Sequence, residues 1–183
     1  MATTKHTIVA LVEDKPGVLN RMASLFRRRG FNIESLVVGH SEVPNLSRMT
    51  IVVDGAATMV EQVRKQLDKI VDVVKVSDIS GDNIIARQLA LIKVKATSST
   101  RSGIIEIVAI FRANIVDVAA DSVTIEATGD EDKINSLINL LRGFGIKEIS
   151  RTGRVAMPRG SPVSLSVKEG LSKIIPDKGR KTS

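Results

Sequence analysis

The sequence predicts an α+β protein made of two consecutive βαββαβ units. Each is expected to fold as a four-stranded antiparallel sheet with both helices on one face, the ferredoxin-like arrangement. Three observations carry this. Short β-branched runs such as HTIVALVED and LSRMTIVVDG read as strands. Between them lie stretches with apolar residues at helical spacing. The same order of six elements then occurs twice, at about 75 residues per copy.

In the first copy, HTIVALVED predicts a strand over about residues 6–12. Asp14, Pro16 and Gly17 form a corner. Val18, Met22, Leu25 and Phe26 then fall on one face of a helix. Asp14 is expected to cap the first N–H groups of that helix, with Pro16 tolerated in its first turn. Arg27, Arg28 and Arg29 suit its negative end, and Gly30 supplies a left-handed stop. FNIESLVVGHSE and LSRMTIVVDG predict the second and third strands, joined by a turn at Pro44 and Asn45. Val60, Val63, Leu67 and Ile70 mark the second helix, and VDVVKVSDIS the fourth strand. The domain is expected to span residues 5–80. Ile51 and Val53 alternate with Thr50 and Val52, so apolar residues fall on both faces of this sheet. The face away from the helices is therefore expected to pack against another unit or chain.

Ser80 to Asn83 punctuates the chain, and the pattern returns over residues 84–157. RQLALIKVKAT is a strand, and RSGIIEIVAIFRA a helix with Ile104, Ile107, Val108 and Phe111 on one face. NIVDVAAD and SVTIEATG are short strands. DEDKINSLINLLRGFG is a helix that opens on acids and closes at Gly143 or Gly145, and IKEISRTGRVAM is the last strand. Residues 158–183 are rich in Pro, Ser, Gly and Lys and are expected to be a basic tail, either flexible or holding a short docking helix around VKEGLSKII.

Composition narrows the function. Cysteine is absent, which excludes disulfides, thiolate zinc sites and a cysteine nucleophile. No apolar run reaches the roughly 20 residues that span a bilayer. The start lacks a signal-peptide pattern, so a soluble cytoplasmic protein is expected. Net charge is +7, but its location matters more. Residues 1–85 carry eleven basic against ten acidic side chains, residues 86–157 ten against eight, and residues 158–183 six against two. The tail therefore holds most of the excess and the folded part is nearly neutral. Four Phe with no Tyr or Trp leave few platforms for stacking bases. An RNA-binding ferredoxin-like module is the competing binding function, and salt-dependent RNA binding would mark it. A small enzyme is the third.

No catalytic constellation stands out. His6 and His40 lie in predicted strands with no ligand cluster beside them. Asp130, Glu131 and Asp132 open a helix, where its dipole favours acids. GFG at 143–145 follows a helix instead of a strand, unlike a dinucleotide loop. The corner remains. Its helix start exposes backbone N–H groups suited to a carboxylate, and Gly17 lets a group approach closely. Asp14 can accept an ammonium group, and the Asn32 amide can both donate and accept. Together these groups could hold both ends of a free amino acid; a well-capped helix with no ligand accounts for the same residues.

DKPGVLNRMASLFRRRGFNIESL followed by SRMTIVV closely resembles the regulatory (small) subunit of acetohydroxyacid synthase, also called acetolactate synthase. QLDKIVDVVKVSDIS, QLALIKVKA, IFRANIVDV and ISRTGRVAMPRG fit the same family, so the resemblance covers about residues 5–160. It implies that the first domain is an ACT domain and that the chain forms a homodimer through ACT domains. It implies no catalysis by this chain. Instead the chain would bind and activate the catalytic (large) subunit and confer feedback inhibition by valine, in some members also by leucine or isoleucine. Thiamine diphosphate, magnesium and FAD would belong to that partner, with no cofactor, metal or nucleic acid bound here. The implied effector site lies between two ACT domains. Carried over, it comprises Asp14, Lys15, Pro16, Gly17, Val18 and Leu19 of one subunit with Asn32 and Ile33 of the other. Backbone N–H groups near Gly17–Leu19 would take the carboxylate, Asp14 and Asn32 the polar ends, and Leu19 and Ile33 the branched side chain. The chain departs from many valine-sensitive members in carrying Asp14 where they carry Asn.

Overall fold

The computed structural model describes residues 4–160 and Leu165. Most of the expected tail, 158–183, lies outside the described residues. The chain divides into two units, one comprising residues 4–85 with 156–160 and the other Ala86–Val155.

The first unit runs β1 (Thr4–Glu13), α1 (Val18–Arg28), β2 (Ile33–His40), β3 (Leu46–Gly55), α2 (Ala57–Leu67) and β4 (Val73–Asp78). Its antiparallel sheet has the order β2-β3-β1-β4, which leaves β2 at an edge. Ile8, Ala10 and Val12 of β1 and Met49, Ile51 and Val53 of β3 face the helices. There they pack with Val18, Met22, Leu25 and Phe26 of α1 and Val60, Val63 and Leu67 of α2. The helical spacing of those residues selected this face.

Gly30 adopts φ 71° as expected. The Gly30 N–H donates to Arg27 O (3.1 Å) and the Phe31 N–H to Phe26 O (3.1 Å), the paired bonds of a Schellman stop. The Phe26 and Phe31 rings meet edge-on at 6.5 Å, adding the apolar contact that accompanies such stops. Asn45, also at positive φ, makes the β2–β3 turn. The sheet's other face is buried too: Val9, Leu11, Thr50 and Val52 are all at most 3% exposed. At one point its cover is explicit, because the Arg48 guanidinium donates to the Ala156 carbonyl (2.9 Å) within the same unit.

The second unit contains β5 (Ile84–Lys95), which starts just ahead of it, α3 (Arg101–Ile110), β6 (Asn114–Val118), β7 (Ser122–Gly129), α4 (Glu131–Leu141) and β8 (Ile146–Arg151). Its sheet order is β6-β7-β5-β8. Ile92, Ile104, Ile125, Ile134 and Leu137 are completely buried in its core. Asp130 caps α4 by accepting from the Lys133 N–H (2.9 Å), so the acidic triplet is a helix start. Gly145, at φ 91°, ends the turn after α4, which resolves the expected stop in its favour over Gly143. No helix among the described residues is long and apolar enough to cross a membrane.

Candidate functional site

The corner between β1 and α1 starts from a backbone feature. Gly17 is the residue before the helix, at φ 89° and ψ −13°, and no side chain caps the helix. The expected cap by Asp14 is therefore corrected. Helix geometry begins only at Val18, four residues beyond Asp14, too far for its carboxylate to reach the first turn. The Asp14 N–H instead donates to Asn45 O (2.9 Å), and its Oδ2 lies 3.2 Å from His40 Nδ1 at the end of β2. His40, which the sequence left as a solvated strand residue, thus stands beside the corner. Among the described residues no side chain accepts from the first-turn N–H groups of Val18, Leu19 and Asn20, the condition for receiving an external anion.

The remaining corner residues divide by exposure. The Val18 side chain is buried in the core, so only its backbone can serve a ligand. Leu19 is 45% exposed, and Pro16 and Gly17 are also at the surface. A Cβ built on Gly17 would find no heavy atom within 4 Å, so the approach to the corner is open. Lys15 is exposed, but its ammonium is engaged within the chain. Its ammonium pairs with the Glu13 carboxylate and with Asp72 Oδ1 (2.7 Å). These contacts, Asp72 first, raise its pKa above the ordinary lysine value.

Asn32 and Ile33 are at the other end of the unit. The eleven residues of α1 separate them from Gly17, about 16 Å of helix at 1.5 Å per residue. Strand register agrees: Ile33 pairs with Val53 near one end of β3, whereas His40 pairs with Ser47 near the other. One chain does not bring the two groups of predicted site residues together. Asn32 is exposed and Ile33 half-buried, at the start of the edge strand.

The other candidates resolve into structural roles. His6 is 7% exposed, with Nδ1 3.1 Å from Asp78 Oδ2. No three His, Cys, Asp or Glu among the described residues gather as metal ligands.

Comparison with known proteins decides the family. A family model described as the AHAS small subunit-like ACT domain matches residues 8–75, and one described as the small subunit of acetolactate synthase matches residues 87–160. A probable acetolactate synthase small subunit of Archaeoglobus fulgidus is 59% identical over 86% of this chain and 98% of its own length. The chain belongs to the acetolactate synthase small-subunit family. The acetolactate synthase small subunit of Mycobacterium leprae is 54% identical over 85% of this chain and 92% of its own. The crystal structure of the acetolactate synthase small subunit from Thermotoga maritima superposes with a TM-score of 0.81 at 43% identity, covering 87% of this chain and 99% of that one. The two ferredoxin-like units, the first an ACT domain, and the expectation of a regulatory, non-catalytic subunit stand with that membership.

Proposed function

We propose that this small subunit activates the catalytic subunit of acetohydroxyacid synthase and inhibits it when valine accumulates. The observation that carries this reading is the separation of the two site halves around an edge strand. β2 has one neighbour, β3, and its other edge is open among the described strands. If a second copy pairs antiparallel along β2, centred on Leu36 and Val37, its Ile33 lies opposite His40. His40 adjoins Asp14, so Asn32 and Ile33 of the second copy come beside the corner. The amino-acid site is then completed by homodimerisation. The α1 N–H groups bind the carboxylate, Asp14 the ammonium, and Leu19 with Ile33 the branched side chain.

Thiamine diphosphate, magnesium and FAD belong to the catalytic partner in this reading, and the assembly works in the cytoplasm. Valine must bind the inhibited state of the complex better than the active one, since equal affinity would shift nothing. Coupling of about 1–3 kcal/mol suffices for a 5- to 150-fold effect. The test is reconstitution with the matching catalytic subunit. Acetolactate formation should rise on adding this chain and fall on adding valine. A catalytic subunit equally active with and without the chain would refute the reading.

A further inference from the structure

Asp72 is a buried carboxylate that the proposed binding scheme does not use. Its side chain is 1% exposed, one residue ahead of β4. Among the described residues its polar contacts reach the corner. Oδ1 accepts from Lys15 Nζ (2.7 Å), and Oδ2 accepts from Arg21 Nη1 in the first turns of α1. Its backbone carbonyl accepts from the Glu13 N–H (2.9 Å) at the end of β1. The Arg21 N–H in turn donates to Gly17 O (3.0 Å), closing the first helical turn. One residue therefore ties together the strand end, the loop and the helix start that flank Gly17. It also draws two cations away from Asp14, the only corner carboxylate assigned to a ligand ammonium.

We infer that Asp72 is a positioning residue for the amino-acid effector. It holds the Pro16–Gly17 turn with its helix N–H groups open, and it pairs Lys15 and Arg21 so that neither joins His40 at the Asp14 carboxylate. This rests on the reading of the corner as the effector site. Without the carboxylate, a ligand must order the turn itself, and two released cations compete for Asp14. Removal of one partner should act through the other, because Lys15 and Asp72 form one network.

The experiment is valine titration by calorimetry on the full chain reconstituted with its catalytic subunit, with thermal unfolding of each variant alongside. Asp72→Asn should raise the valine Kd about tenfold. Lys15→Met combined with Asp72→Asn should recover part of that loss, about twofold, because one competing cation is removed. Val63→Ala removes fully buried core volume from the same unit and should lower the unfolding temperature without changing the valine Kd. The inference is overturned if Asp72→Asn binds valine like the wild type while Asn32→Ala does not. It is also overturned if Val63→Ala loses as much affinity as Asp72→Asn. A wild-type complex with no saturable valine binding would overturn the effector reading itself, and this inference with it.

Discussion

Replacing Gly17 by Ala separates backbone strain from ligand access. At φ 89° an L-residue pays about 1–2 kcal/mol for the left-handed conformation. Alanine recovers about 0.4–1 kcal/mol, because its unfolded chain has less entropy to lose. Beyond its chain neighbours, the new Cβ meets no heavy atom within 4 Å. The net cost is therefore about 1 kcal/mol. For a unit of this size that lowers the unfolding temperature by about 4–8 °C. In the proposed effector site the methyl group adds bulk next to the helix start, so the valine Kd should rise about tenfold. Gly145→Ala is the control. Its φ of 91° with ψ 95° imposes at least as much strain, in the second unit. Differential scanning calorimetry reads stability, and titration calorimetry reads affinity. Equal weakening of valine binding in the two variants would refute the corner's special role. An unchanged melting profile for Gly17→Ala would refute the strain argument.

Three other perturbations test the stability of the two units. The Arg64 guanidinium holds the Glu61 carboxyl down to about 2, from an ordinary 4.5. A depressed pKa means stability that is present above the ordinary value and lost as pH falls toward the depressed one. Glu61→Gln should therefore lose less denaturant resistance than the wild type between about pH 5 and about pH 2; equal losses would show that the pair does not stabilise the fold. A Cβ on Gly55 would lie 2.7 Å from Phe31 Cε1, so Gly55→Ala should destabilise the first unit by about 1–3 kcal/mol in urea titration. Asp130→Ala removes the α4 cap and should cost about 1 kcal/mol by the same assay, with no effect on valine affinity.

The elements were legible because local and global signals agreed. Val18, Met22, Leu25 and Phe26 named the buried face of α1, and Gly30 named its end. Alternation in LSRMTIVVDG announced a sheet buried on both sides, which Val52 and Val53 bear out. The start of α1 was misjudged, because proximity in sequence made Asp14 look like a cap. The positive φ of Gly17 delays the helix and frees that carboxylate for His40. Sequence periodicity has no means of finding Asp72. It sits in a run of valines, fifty-one residues after Arg21, and only the tertiary fold brings them together. His40 was missed for the same reason, since the turn at Asn45 returns β2 toward the corner.

The most direct test of the effector site is isothermal titration of valine into the reconstituted complex, comparing wild type, Gly17→Asp and Asn32→Ala. The expected result is saturable binding by the wild type that both substitutions abolish, one acting from each half of the site, while activation of the catalytic subunit persists. Unaltered valine binding in both variants would place the effector elsewhere and contradict the assignment of the corner.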